Sequence, residues 1–378
     1  MFKLFSLFFR LESKNIKFKI VLFALAVYIV GTFVFISNSQ YGELEPKTSS
    51  EITSLNTALT QFQNVDATDD NVASPLYQNV VSQLRHLGDQ SLGIIMNNED
   101  TYIKGAINVS DVQLDAYALE NVNDIEVFIP SQREVELKNV LFNNIDKNNE
   151  KVFIENDNLP TYITLFIMSI SFFWYLLVSI SSSDIFLDDT RHPTIVKGYP
   201  FSKASIFIAK LLTYLTILGG LLLITYSISI AGGVIFYGND FRYPVAIFNG
   251  QYLTIPLWQY IILSFAYLII ITILALLISS ILSYYFKNLY LIIFIQFFLF
   301  FFLQIFIFIS EYIWFVPFNF LNFYQVLNGS IAETTMNISA NVYSGVLLIF
   351  MSILLILIFF YFNFYRGDVK NKKGRGEI

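Results

Sequence analysis

The chain predicts an all-α polytopic membrane protein with six transmembrane helices, an N-terminal interfacial helix, and a mostly helical extracytoplasmic domain between helices 1 and 2. Three observations carry that prediction. Of the 378 residues, 55% are hydrophobic and only 14% charged, where a soluble domain holds about 25% charged residues. The apolar residues gather into runs long enough to cross hydrocarbon, which takes roughly 20 residues for about 30 Å. Lysine and arginine collect on alternate connections between those runs, the pattern that sets orientation in a bilayer.

Residues 1–19 form the first element. Lys3, Ser6, Arg10, Ser13 and Lys14 share one helical face, and Phe2, Leu4, Phe5, Leu7, Phe8, Phe9 and Leu11 fill the remainder. Such a helix lies in the cytoplasmic interface, its basic face toward lipid phosphates and water. Residues 20–37 are the first span. Ser37-Asn38-Ser39 would pass as a signal-peptidase site, but a basic lead of 19 residues and a long apolar run favour an uncleaved anchor over a secretory signal. Residues 38–160 hold 7 basic and 20 acidic residues. Thr48-x-x-Glu51 reads as a capping box opening a helix with Ile52, Leu55, Leu59 and Phe62 on its apolar face. Leu76, Tyr77, Val80, Val81, Leu84 and Leu87 repeat that spacing, as do Val135, Leu137, Val140, Leu141 and Ile145. This stretch is long enough to bury its own small core.

Residues 161–183 are the second span and residues 184–209 a charged connection. Residues 210–365 hold spans three to six: Leu211 to Tyr237, Leu257 to Tyr285, Leu289 to Ser310, and Ser344 to Tyr365. A polar lead-in with Asn249, Gly250, Gln251 and Pro256 precedes the fourth. Residues 366–378 are a basic tail. The N-terminal segment, the 184–209 connection with Lys210, the turn at Lys287 and the tail together carry fifteen Lys and Arg. The connections after spans three and five carry Arg242 alone. Both termini are therefore expected in the cytoplasm. The heavy use of Phe, Ile, Asn and Lys points to an AT-rich bacterial genome and thus to a bacterial plasma membrane.

Several chemistries are excluded by composition. Without cysteine there are no disulfides, thiolate metal sites or cysteine nucleophiles. The two histidines, His86 and His192, are too far apart in sequence to suggest a metal centre, and none is expected. No G-x-x-x-x-G-K-[ST], G-x-S-x-G or H-E-x-x-H occurs, so the chain has no P-loop of its own and none of these hydrolase signatures. The spans contain no Asp, Glu, Lys or Arg at depth, which argues against an ion-coupled pump and leaves an intramembrane enzyme without an acid or base. Gln296 and Gln304 are the buried polar candidates; eight residues apart, they would face one way on a helix, lining either a helix seam or a substrate path. No nucleic-acid partner is expected.

The 184–209 connection is the most informative stretch. It sets Asp184, Asp188, Asp189, Arg191 and Lys203 between two uncharged spans. Pro200 stops one short helix and Ser202 can cap the next. A short amphipathic helix here would present Ile195, Tyr199 and Phe201 among charges, a surface suited to docking a soluble partner. A solvated loop that only fixes topology is the alternative.

These residues resemble the signature of type-2 ABC exporter permeases. That pattern runs from an acidic residue through Thr and an apolar turn to Pro-[apolar]-Ser-[basic], with a Lys about seven residues on. It is met here by Asp189, Thr194, Ile195, Pro200-Phe201-Ser202-Lys203 and Lys210. The segment from Val316 to Gly329, with Pro317-Phe318, Asn322, Val326-Leu327 and Gly329, is similar to the stretch before the family's last span. Pro193 stands before Thr194 where the family often has Gly, and the acidic cluster is Asp rather than Glu, which leaves the subfamily open.

The resemblance implies a permease that pairs with a second copy or a related chain and binds two separately encoded ABC ATPase subunits, which hold the ATP and Mg²⁺. Asp184 to Lys203 would be the coupling element on the ATPase, with the N-terminal helix beside it. Apolar, aromatic-rich spans suit a hydrophobic or amphipathic cargo, first a bacteriocin or toxin-like peptide, then lipid, then sodium. A different class is a membrane sensor or immunity protein whose extracytoplasmic domain binds a ligand without transport.

Overall fold

The computed structural model describes residues 2–62, 74–155, 157–187 and 201–374. Helix α1 (Phe2–Glu12) turns through Ser13 and Lys14 into α2 (Ile16–Asn38), whose N-terminus Asn15 caps by accepting the Lys17 N–H at 3.2 Å. Four helices follow: α3 (Leu44–Phe62), α4 (Pro75–Ile95), α5 (Glu99–Ala116) and α6 (Gln132–Asn148). Ser74, Asn98 and Ser131 cap the last three. Helix α3 starts four residues before Thr48, so the expected capping box is not its N-terminus. Pro46 is tolerated in the first turn, where no intrahelical N–H is required, and Thr48 is instead buried within the helix.

Each helix of this domain packs on the next, around Leu55, Val80, Leu87, Val109 and Ile125. Lys138 of α6 and Glu51 of α3 form an ion pair at 3.3 Å, each side chain only 11% exposed. Burial holds the Lys138 ammonium below its usual range, while Glu51 pulls the other way.

Among the described residues, five helices are long and apolar enough to cross a membrane: α2, α7 (Leu159–Ser182), α8 (Lys203–Tyr237), α9 (Leu257–Tyr285) and the Val342–Asn363 part of α14 (Val342–Gly374). The chain is read as membrane-embedded on that basis. Helices α7 and α9 are the central pair and bury most of their length, while α2 and α14 are peripheral. One end of the bundle gathers Lys17 of α2, Asp184 beyond α7 and Phe207 of α8, with Phe360 of α14 packed on Phe207. This is the basic end. The helical domain caps the other.

The apolar run from Leu289 to Ser310 does not form one long helix. It makes α10 (Leu289–Phe300), breaks at Phe301, then continues as α11 (Phe302–Ile305) and a 3-10 turn over Ile307–Tyr312. Twelve residues rise about 18 Å, short of the hydrocarbon thickness. Successive residues on a helix diverge by about 100°, so three adjacent phenylalanines cannot all face one bundle. The break lets Phe300 stack on Tyr175, Phe301 reach Phe172 and Phe302 meet Phe318. Hydropathy registers the run and misses that crowding.

Between α8 and α9 the chain forms a hairpin of β1 (Pro244–Phe248) and β2 (Tyr252–Pro256), Phe248 paired with Tyr252. The Asn249 N–H donates to the Gln251 carbonyl at 2.9 Å, and Gly250 takes φ +78°, a backbone that glycine adopts without penalty. Helix α6 packs on this hairpin, and Arg133 bonds Glu333 at 2.8 Å, seating the helical domain on the bundle.

Replacing Lys138 with Met leaves Glu51 buried and unpaired. The expected cost is about 3 kcal/mol, read as faster hydrogen exchange across α3 and α6. Lys138→Met with Glu51→Leu should recover most of it.

Candidate functional site

The basic end brings together part of the predicted coupling set. Helix α1 lies along the start of α8, with Leu4 and Phe8 packed against Ile206 and Ala209. Lys17, in the first turn of α2, donates to Asp184 Oδ1 at 2.7 Å and to the Tyr214 hydroxyl at 2.5 Å. Glu12 lies 3.7 Å from the same ammonium, which also sits over the Phe18 and Tyr214 rings. The Tyr214 hydroxyl donates to Asp184 Oδ1 at 3.3 Å. Lys210 donates to the Ile185 carbonyl at 3.1 Å and lies over the Phe8 and Phe186 rings. One compact knot thus joins α1, α2, the end of α7 and the start of α8.

Charge-assisted bonds are the stronger kind of hydrogen bond, and the Lys17 and Asp184 side chains are only 20% and 35% exposed, so the knot holds its four elements in fixed register. Ser202 caps α8 by accepting the Ser205 N–H at 3.2 Å. Phe201, Ser202 and Lys203 are exposed at that N-terminus. Helix α8 has 35 residues, about 52 Å of rise, and so overhangs a 30 Å hydrocarbon layer by several turns. Asp188, Asp189, Arg191, Thr194, Ile195, Tyr199 and Pro200 lie outside the described residues. Asp184 and Lys203, which flank that segment, are both anchored to or part of elements of the knot.

Sequence reasoning missed Glu12 and Tyr214 and treated Lys17 only as a topological charge. A signal was present. Tyr214 stands four residues after Lys210, on the same face of α8, and Lys17 begins the apolar run it precedes.

The two glutamines separate. Gln296 is fully buried on α10 and donates to Ser279 Oγ at 2.7 Å, and Ser279 in turn meets Ser182 Oγ at 2.6 Å. Gln304 is exposed. The expectation that they share a face fails because the helix breaks between them at Phe301. Gln296 belongs to a seam of small polar residues joining α7, α9 and α10, continued by Trp174 Nε1 donating to Thr272 Oγ1 at 2.8 Å.

The segment from Val316 to Gly329 is buried structure. Phe320 and Phe323 are fully buried, and the Tyr267 hydroxyl donates to the Phe320 carbonyl at 2.9 Å. Asn322 caps the short helix α12 (Phe323–Leu327). Gly329 takes φ +79° and abuts the Phe248 ring so closely that a Cβ would sit 3.0 Å from it. The following short helix α13 (Ser330–Thr334) brings Glu333 to Arg133. These motif residues therefore shape the platform under the helical domain.

Comparison with known protein families, with curated proteins and with solved structures returns no match for this chain.

Gln296→Leu removes an inter-helix hydrogen bond and should cost about 1 kcal/mol, seen as a lower unfolding temperature in detergent. Gln304→Leu should leave that temperature unchanged.

Proposed function

We propose that the chain is the membrane-spanning permease subunit of an ATP-driven ABC-type exporter of a bacterial plasma membrane, moving a hydrophobic or amphipathic cargo outward. The observation that carries this reading is the basic-end knot. The segment resembling the coupling signature is bounded by Asp184 and Lys203. Asp184 is tied to Lys17 and Tyr214, and Lys203 opens the long α8. A partner pressing on that segment would act on α1, α2, α7 and α8 at once. Work is transmitted only if the contact differs between two states of the partner, as it would across an ATPase cycle.

Under this reading the basic end faces the cytoplasm, in keeping with the placement of Lys and Arg. The sixth crossing is made by the broken segment between Leu289 and Val342, which leads from the basic end back to the domain end. Irregular backbone is tolerated at membrane depth where protein buries it, as Tyr267 does for Phe320. ATP and Mg²⁺ belong to a separate ATPase dimer, and a second permease chain completes the assembly. The cargo under this reading is a bacteriocin or toxin-like peptide. The chain itself is then a transport subunit and not an enzyme.

Purification of the tagged protein in mild detergent tests this. An ABC ATPase should accompany it in near-equal amount, and Asp188→Lys with Asp189→Lys should release that ATPase. Asp184→Asn, which loosens the knot and leaves the segment's own charges, should keep the ATPase bound and cut transport roughly tenfold, the equivalent of one charge-assisted bond of about 1.5 kcal/mol. Recovery of the protein alone, or with a sensor kinase, overturns the permease reading in favour of a ligand sensor.

A further inference from the structure

Two cavities, one bearing charged side chains and one without them, share one wall. A cleft of about 670 Å³ lies between α6, the hairpin and the loop after α13. A groove of about 470 Å³ lies between the hairpin, the first turns of α9 and the start of α14. Both volumes fall in the range of small-ligand sites. The wall is the hairpin. Alternate residues of a strand point to opposite faces, and the register pairs Phe248 with Tyr252 and Ile247 with Leu253. Phe248 and Tyr252 line the cleft, whereas Ile247 and Leu253 line the groove.

The cleft has a largely apolar lining that carries excess negative charge. Its charged residues are Arg133, Glu136 and Glu333. Arg133 is already held by Glu333 at 2.8 Å and Glu134 at 3.4 Å, so no cationic charge remains to offset Glu136. Burial first, then the Glu136 carboxylate, pushes the Tyr252 hydroxyl up to about 12, so it remains a hydrogen-bond donor. The domain forming one side of the cleft has 20 acidic residues against 7 basic. Such a field draws in cations. No group of three or more His, Asp or Glu fit to hold a metal occurs among the described residues, which favours an organic cation over a metal ion. At the mouth, Met336 and Ile338 are 80% and 70% exposed, an apolar lip beside the acidic rim.

The groove is apolar and opens along Trp258, Ile262 and Tyr343, all strongly exposed. Trp and Tyr are the side chains of the membrane–water boundary. Its polar amides are Gln259 and Asn249, and the Asn249 side-chain oxygen is buried without a hydrogen-bond partner and so offers an acceptor to a ligand N–H.

We infer that the cleft and groove together form a binding site for a cationic amphipathic peptide, its basic residues in the cleft beside Glu136 and its apolar residues over the hairpin in the groove. As a cargo-handling site this rests on the exporter reading; as a binding site it needs neither ATP nor an ATPase partner.

The test uses the purified full-length protein in nanodiscs of zwitterionic lipid, without ATPase, and a dansyl-labelled peptide of alternating Lys and Leu. Saturable binding is expected, weakened by added salt, with energy transfer from Trp258 that Trp258→Phe removes. Trp174, fully buried in the bundle, and Trp314 are the other two tryptophans, and the signal left in Trp258→Phe measures their share. Glu136→Gln and, separately, the exposed Ile338→Ser should each weaken binding by about tenfold, the worth of about 1.4 kcal/mol. Equal binding of a Glu/Leu peptide of the same length, or wild-type affinity in both variants, overturns the inference. Loss of the ATPase from the co-purification while this binding persists would remove the exporter reading and leave the site standing.

Discussion

Helices in a bilayer gain nothing from hiding apolar surface from one another, because lipid is as apolar as leucine. Whatever holds this bundle together must come from packing and from hydrogen bonds between spans. The seam between α7 and α9 supplies them. Trp174 bonds Thr272, Ser182 meets Ser279, and Ser279 accepts from Gln296. Tyr226 of α8 joins through Ser264 at 3.0 Å, and Tyr267 reaches across to the Phe320 carbonyl. Every other span leans on this pair. Helix α2 stacks Phe33 on Tyr162 of α7 at 4.4 Å, and α14 packs along α9. Small hydroxyls let backbones approach, and the same hydroxyls satisfy the larger polar groups that follow them in.

Much of this was legible in the sequence. Long uncharged runs announce α2, α7, α8, α9 and α14, since few soluble elements tolerate that composition. The periodicity of Leu76, Val80, Leu84 and Leu87 marks α4 equally well. Other features needed contacts that one-dimensional patterns do not hold. The Leu289–Ser310 run looks like a sixth uniform span because hydropathy is blind to how adjacent phenylalanines compete for partners. Its break in turn separates Gln296 from Gln304. The hairpin was readable too, since Asn249-Gly250 between Val245-Ala-Ile-Phe and Tyr252-Leu-Thr-Ile is a strong local turn signal, but read as a polar lead-in to α9 it carries no sign of a strand pair. Of the candidate site, Asp184, Phe201, Ser202, Lys203 and Lys210 were anticipated and are placed at the basic end. Lys17 as their partner was not, because 167 residues separate it from Asp184.

Those placements divide the molecule's chemistry between its two ends. At the basic end, Lys17, Asp184 and Tyr214 bind four elements into one unit, so a displacement of α1 or of the segment after Asp184 is shared by the starts of α2 and α8. At the domain end, Arg133 and Glu333 hold the helical domain to the platform formed by α12, α13 and the hairpin. This contact is more exposed than the knot, Glu333 being 43% accessible, and exposed ion pairs contribute little net stability. The domain is therefore seated mainly by α6 on the hairpin, with the ion pair fixing its orientation.

The element common to both ends is α8. It is capped at Ser202 beside the knot, and it ends at Tyr237 only a few residues before the hairpin that walls both cavities. It contains no proline and remains helical throughout its 35 residues, unlike the broken run after Leu289. The Leu257 and Trp258 N–H groups then clip α9 to the carbonyls of Tyr243 and Phe241 at 2.9 and 3.1 Å, so the hairpin is fastened to the ends of both α8 and α9. An intact helix tilts as a body, whereas a broken one absorbs displacement at its break. The hairpin is in turn packed on the segment after Leu289, where Gly329 lies against the Phe248 ring, so α8, α9, the hairpin and the α12–α13 platform are joined in one continuous set of contacts.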